Sequence, residues 1–590
     1  MMTEQDVFMF YTVINIIFLA IAIALIVSQR ANYRQSETNV NTEHSFADDG
    51  TDILEEKSLS LYIEKHFYKF VAFLFFVTVL TSTFKLGDVP YGLNVDEAGM
   101  AYDAISLVNY GVDRYLKPYP VYFINFGGGQ NAMYTYLAAL FIKVFDYSTV
   151  IIRLPAVLLR FLTFIAIYFI MKSEYGKPNN KEKSLLLLFL FSVCPYFIMQ
   201  SRWGLESNLL VGFLTISICL LIYSIRNNST KLFFASGISF GLTLYTYALS
   251  YIIIPVFLCF IGLYLYFSKK VKICQIVLFL LPLSILSLPL ILMILVNNGF
   301  IPEINGVFTI PLLDYYRGGE VSFRNIFSNY YIIISMLSFD NPRIYGRELF
   351  FNAIPYFGTV YYFSIPFFLV GVLSTYRKAL SDLKAGIFNV DLIFATWFFS
   401  VLACQFVILA PNINKVNAVF VPVFYFVTIG IIETVGKWNG KKSIFLVVLI
   451  CYLLNFSLFC NYYFNQYNQD SKGLLCFATD YLDVVKFSSH LNKKEINILD
   501  NIIIEPYIYV LLENQVPSCN FSKNNIKTFN EGLERTYTFK SPDILKADVL
   551  EGEQRKNDKA YVVFNNDYWY NIFNGHGLKR QVFGNICVYY

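Results

Sequence analysis

Two adjacent carboxylates, Asp96 and Glu97, follow an apolar block and open an apparent helix. Carboxylates in such a place have two uses. They can cap the helix and complement its dipole, Asp96 as N-cap and Glu97 in the first turn. Alternatively, a carboxylate within hydrogen-bond reach of a hydroxyl can take its proton as general base. Residues 97–109 place Met100, Ala104, Leu107 and Val108 at helical spacing, an amphipathic pattern suited to lying along a membrane surface. That context favours the base reading, with Asp96 and Glu97 as the catalytic candidates and Tyr102 and Asp103, farther along the helix, as substrate-binding ones. Three glycines, 127–129, precede Gln130. Their uncovered amides suit close approach to a phosphate or sugar, although glycines also simply make turns. Gln130 joins the substrate-binding candidates.

An anionic group would need cations where its charge develops. Arg153, Arg202 and Lys415 are the candidate phosphate ligands, and Arg114 and Lys117 are further cations on the same expected side. Arg202 stands out because Glu206 follows one helical turn later and would hold its guanidinium. Tyr247, between Tyr245 and Tyr251, is placed to stack on a sugar, and Glu206 and Tyr247 complete the substrate-binding set. Aromatic belts at membrane interfaces are the plainer reading of these tyrosines.

The elements that position these residues are membrane spans. The 590 residues are 56% hydrophobic and only 15% charged, well below the roughly 25% of soluble globular proteins. The apolar residues fall in blocks near bilayer-spanning length, at 7–27, 67–85, 149–171, 184–200, 208–225, 232–248, 250–267, 273–296, 356–376, 388–409, 415–436 and 443–464. Arg30 and Arg34 follow the first block and nothing basic precedes it, so it is expected to enter from outside. Lys172, Lys177, Lys181 and Lys183 share one loop. Arg226 and Lys231, then Lys269, Lys270 and Lys272, then Arg377, Lys378 and Lys384, then Lys437, Lys441 and Lys442 fill four others. All fall on one side, the cytoplasm by the positive-inside rule, provided that 131–147 does not cross. Segments 87–148, 297–355 (with an interfacial stretch at 330–339) and 465–590 then face outward. The last alternates candidate strands with helices and is long enough for its own α/β core.

The expected organisation is an N-terminal extra helix and cytoplasmic linker (1–65), a transmembrane catalytic core (66–464) and a small C-terminal extracytoplasmic α/β domain (465–590). The fold class is thus an α-helical polytopic membrane protein of about twelve transmembrane helices. No basic stripe suits nucleic acid. The ten cysteines include no C-x-x-C pair and the four histidines are isolated, which argues against zinc and thiol-redox motifs. Two of Cys476, Cys519 and Cys587 could pair in an oxidising exterior.

Asp96-Glu97 after the first core span, the surface helix, Tyr122-Phe123, a second surface helix and Arg153-Leu-Pro-Ala156 resemble the C-type membrane glycosyltransferases. That superfamily includes protein O-mannosyltransferases and the aminoarabinose transferases of lipid A. The 201–208 patch and Asn414-Lys-Val-Asn417 extend the resemblance, which covers roughly 66–464. It implies inverting transfer from a polyprenyl-phosphate sugar to an extracytoplasmic glycan, lipid or protein, with Asp96 at the catalytic position. Two departures stand out. Gly99 occupies a position that is Arg in the lipid A type, and Ile124-Asn125 replaces a Glu-Lys run after the Tyr-Phe. The acidic metal ligand is therefore missing, and the cofactor stays unassigned, a divalent cation being one candidate. Two alternatives remain open. A lipid-linked polysaccharide polymerase or ligase would lean on Arg317, Arg324, Arg343 and Arg347. A flippase would bury charge mid-span, whereas nearly all the charge here lies at span ends and in loops.

Overall fold

The computed structural model describes residues 4–39, 50–174, 180–330, 349–354, 356–436, 441–470, 476–521, 528–531, 535–551 and 558–590. Lys177, Lys437, Arg343, Arg347 and nearly all of 330–339 lie outside them. Two long helices, α1 (Glu4–Asn39) and α2 (Gly50–Thr83), lead into α3 (Val95–Tyr110), the hairpin β1 (Tyr122–Asn125) and β2 (Gly128–Asn131), and α4 (Met133–Phe145). The bundle continues through α5 (Thr149–Lys172), α6 (Asn180–Val193), α7 (Pro195–Gln200), α8 (Glu206–Arg226), α9 (Thr230–Leu244), α10 (Ser250–Phe267) and α11 (Ile273–Asn297). Helices Ile365–Lys384, Val390–Val407, Phe420–Val435 and Lys441–Asn465 close it.

Among the described residues nine helices are long and apolar enough to cross a membrane. The other three expected spans differ for identifiable reasons. The block at 184–200 is broken into α6 and α7, because Cys194 precedes Pro195 and adopts extended backbone. The block at 232–248 is helical only over Thr230–Leu244. The helix expected from 356 starts at Ile365, after a 3-10 turn at Tyr362–Ser364. Helix α4, expected not to cross, has 13 residues, about 20 Å of helix at 1.5 Å per residue against a core of about 30 Å.

The expectation that charge avoids the middle of spans fails at Arg160, which is buried halfway along α5. It donates to Thr81 Oγ1 (3.0 Å), Ser82 Oγ (2.8 Å) and Ser192 O (3.2 Å). The C-terminal end of α2 gathers two arginines, since Arg202 donates to the carbonyls of Thr81, Ser82, Phe84, Lys85 and Val89 at 2.7–3.0 Å. Helix-end carbonyls lack intrahelical donors and carry the negative end of the dipole, so cations satisfy them.

The tail forms a six-stranded mixed sheet, in the order β4 (Thr528–Glu531), β5 (Arg535–Lys540), β3 (Glu495–Leu499), β6 (Lys559–Phe564), β8 (Ile586–Tyr589) and β7 (Arg580–Phe583). β5, β3 and β6 are parallel and the outer pairings antiparallel. Central β6 is buried over 560–563, as parallel strands covered on both faces require. Cys476, Cys519 and Cys587 form no disulfide. The tail is bonded to the start of α3. The Leu93 amide donates to Phe477 O (2.8 Å), Asn94 Nδ2 to Cys476 O (3.1 Å), and the Tyr509 hydroxyl to Leu93 O (3.3 Å).

Candidate active site

The N-terminus of α3 separates the two adjacent carboxylates. Asn94, not Asp96, is the N-cap: its side-chain oxygen accepts from the Asp96 amide at 3.0 Å, and the Glu97 carboxylate returns to the Asn94 amide in a capping box. Glu97 is fully buried and paired with Arg153, Nε to Oε1 at 2.9 Å, and it also accepts from the Gly204 amide at 2.7 Å. The remaining Arg153 donors go to the carbonyls of Leu86, Pro90 and Gly92, each at 2.8 Å. Glu97 and Arg153 therefore bind the loop before α3, α5 and the 202–205 turn to one another, and neither presents a free group to a substrate.

Asp96 faces elsewhere. It is partly exposed, and its Oδ1 accepts from Asn125 Nδ2 at 3.0 Å. Dense surroundings raise its pKa by desolvation, opposed by the Asn125 hydrogen bond and the charges of Arg317 and Arg114. Asn125 ends β1, and the hairpin turn fixes it there. Phe126 and Gly127 both have positive φ, the signature of a two-residue type I′ turn. The glycine run thus builds a hairpin rather than a bare phosphate cradle. A Cβ on Gly129 would stand 2.0 Å from the Tyr122 ring, and one on Gly128 3.8 Å from Arg317 Nε.

Glu206, at the start of α8, accepts from the Asn131 amide on β2, and Asn131 Oδ1 accepts from the Tyr251 hydroxyl at 2.7 Å. Asp96 and Glu206 interact electrostatically, and Arg317 acts on both. Tyr247 lies within the field of all three. Arg317 is exposed and comes from the 297–330 segment, which docks on the hairpin through the Tyr315 amide to Gly127 O (2.9 Å) and the Val121 amide to Thr309 O (2.9 Å). Gln130 is buried on β2 with its Oε1 unpaired.

The structure thus brings together Asp96, Glu206, Tyr247 and, unassigned to this site by the sequence, Arg317. It takes others away. Arg202 is spent on the carbonyls after α2, and the expected Arg202–Glu206 pair does not form, because Arg202 lies in a turn before α8 begins. Tyr102 donates to Val516 O in the tail at 2.6 Å. Asp103 is buried in a bidentate pair with Arg114, Nη2 to Oδ2 at 2.7 Å. Lys117 pairs with Glu303 at 2.7 Å. Lys415 Nζ donates to Leu409 O at 2.7 Å, in a segment where Asn417 Nδ2 is bonded to Ser207 O at 2.6 Å. Among the described residues no three His, Cys, Asp or Glu side chains converge as a metal site.

Residues 130–296 match the family model of dolichyl-phosphate-mannose-protein mannosyltransferases. This segment thus resembles the C-type membrane glycosyltransferases. The matched segment begins at Gln130 on the hairpin and contains Glu206 and Tyr247. Among solved structures, the chain is similar to ArnT from Cupriavidus metallidurans bound to undecaprenyl phosphate, at 11% identity and TM-score 0.49 over 88% of this chain and 97% of that one. It is also similar to the Archaeoglobus fulgidus oligosaccharyltransferase in complex with Zn and sulfate, at 11% identity and TM-score 0.47 over 85% of this chain and 69% of that one. No curated protein sequence matches it.

Proposed function

We propose that this protein transfers a sugar from a polyprenyl-phosphate carrier to an acceptor hydroxyl on the extracytoplasmic side, with inversion and with Asp96 as general base. The observation that carries the reading is the release of Asp96 from helix capping. With Asn94 as cap, its carboxylate accepts from Asn125 and lies within the electrostatic reach of Glu206 and Arg317.

The acceptor oxygen attacks the anomeric carbon opposite the phosphate, Asp96 takes the hydroxyl proton, and the carbon–oxygen bond to the lipid phosphate breaks. The charge left on that phosphate is met by Arg317, whose planar fork suits phosphate oxygens. Glu206 and Tyr247, within electrostatic reach of Asp96, are the candidates for sugar hydroxyls. The matching family's description names a dolichyl-phosphate sugar donor, which supports the polyprenyl carrier. The Lys/Arg-rich loops support the sidedness. Arg317, which the polymerase reading relied on, acts electrostatically on Asp96, which supports reading both residues in one site.

The test uses the full chain reconstituted in lipid with a panel of radiolabelled polyprenyl-phosphate sugars. Release of polyprenyl phosphate that depends on Asp96 supports the reading. Equal turnover by Asp96→Asn overturns it.

A further inference from the structure

Gly99 lies one turn after Asp96 on the same face of α3. A Cβ at this position would stand 2.7 Å from Arg114 Nη2, 3.0 Å from Asn125 Oδ1 and 3.4 Å from Arg114 Nη1. The Arg114 guanidinium and the amide that holds Asp96 therefore share the space the glycine leaves. Arg114 enters it from the loop after α3 and is completely buried. Its Nε and Nη2 hold Asp103 at 2.7–3.2 Å, and its own amide donates to Asp103 Oδ1 at 3.0 Å. Asp103 sits two turns after Asp96, so one helix face carries Asp96, the gap at Gly99 and the anchor. Arg114 Nη1 and Asn125 Oδ1 are both buried without a hydrogen-bond partner. Leaving such groups unpaired is costly, so the arrangement is held by its surroundings rather than by local preference.

We propose that Arg114 is a positioning residue for the transfer: anchored on Asp103, its guanidinium fills the space beside Gly99 and fixes Asn125, and through it the Asp96 carboxylate, in its working place. This rests on the reading of Asp96 as base. Other groups face Asp96 as well: Arg317 from the 297–330 segment, Glu206 at the head of α8, Tyr247 after α9 and Tyr509 from the tail. Around Arg114 lie Asp103, Asp113, Tyr115, Glu505 and Tyr507. Arg317 is exposed, so its charge is screened by water and salt, whereas the charge of buried Arg114 is balanced by Asp103 at 2.7 Å, and its role is one of position.

Three variants of the full chain in lipid test the proposal. Gly99→Ala keeps every charge and pushes a methyl into the guanidinium. The double variant Arg114→Gln/Asp103→Asn removes the pair without stranding a buried charge. Arg114→Lys keeps the charge and loses the fork. For Gly99→Ala, kcat falls by about a hundredfold, the cost a displacement of 1 Å can impose, while donor KM holds. In the double variant kcat likewise falls while donor KM holds, and Arg114→Lys loses less than the double variant. Wild-type kcat in folded Gly99→Ala and in the folded double variant overturns the proposal. Asp96→Asn is measured alongside. Full turnover there removes the base reading and this proposal with it, whereas loss there with normal Gly99→Ala and double variants removes this proposal alone.

Discussion

Asn94 caps α3 by accepting the Asp96 amide at 3.0 Å, and the Asp96 carboxylate turns instead to Asn125 Nδ2, also at 3.0 Å. Capping and chemistry, two uses that compete for one carboxylate in the sequence, are divided between two residues. Asp96→Asn therefore leaves the helix cap intact and can still accept from Asn125, but it cannot take a proton. Turnover is expected to fall by about 10²–10⁴-fold, with the thermal unfolding midpoint unchanged. A folded variant turning over near the wild-type rate would return Asp96 to a structural role.

Glu97 should behave in the opposite way. Its pair with Arg153 is fully buried, and Glu97→Gln leaves that guanidinium without its counter-charge. Breaking such a pair costs roughly 3–5 kcal/mol. Thermal unfolding in detergent should show a large loss of stability, and the fraction that remains folded should retain donor KM. An unchanged midpoint with lost turnover would place Glu97 in the chemistry.

Asp113 gives a pH-dependent prediction. Burial, with the neighbouring Asp103 charge, raises its pKa to about 7, although Asp113 Oδ1 accepts the Tyr115 and Lys117 amides at 2.9 Å. The unfolded value is about 3.9. Between these values the folded state holds more protons than the unfolded one, so stability contributed by this group falls as pH rises. Asp113→Asn accepts the same amides without ionising. It should raise the midpoint relative to wild type at pH 8 and lose that advantage by pH 4. A difference that does not vary with pH contradicts the assignment.

Much of the architecture was legible because apolar block length is a strong local signal. Nine of the expected spans appear as long apolar helices among the described residues, and the tail as a mixed sheet. The site was less legible. Asp96 and Glu97 are neighbours in sequence but point about 100° apart on a helix, and nothing in their spacing says which is buried. The Arg202–Glu206 expectation assumed one continuous helix, whereas a turn separates the two residues. Arg317 lies far from Asp96 in sequence and arrives through backbone pairing of its segment with the hairpin, which no local pattern reveals. The hairpin corner at Asn125 was hidden too, because its central pair is Phe126-Gly127, and a phenylalanine at positive φ is not the Asn or Gly that such a turn favours.

The sidedness is open to labelling. Cysteines introduced at Tyr110, Glu320 and Leu550 fall in the three segments assigned to the outside by the positive-inside pattern. Tyr110 and Leu550 are exposed in the structure, so access should be limited by the membrane alone. All three should react with an impermeant maleimide in intact cells. Protection of all three until the cells are opened would invert the topology.

Arg317 and Arg202 separate two readings of the phosphate site. Arg202 makes six hydrogen bonds to backbone carbonyls at the end of α2, so its loss should unfold the protein rather than weaken donor use. Arg317 is exposed, and its charge reaches both Asp96 and Glu206. Arg317→Ala should leave the unfolding midpoint in place and raise KM for the lipid-phosphate sugar. The expected loss in kcat/KM is about 1.5–3 kcal/mol, the usual worth of a hydrogen bond to a charged group, or about 10–150-fold. Arg317→Lys should fall between, keeping a point charge while losing the bidentate fork. The effect should weaken as salt rises, because an exposed charge is screened. Unchanged donor KM in Arg317→Ala, or a loss that ignores ionic strength, would remove Arg317 from the phosphate site.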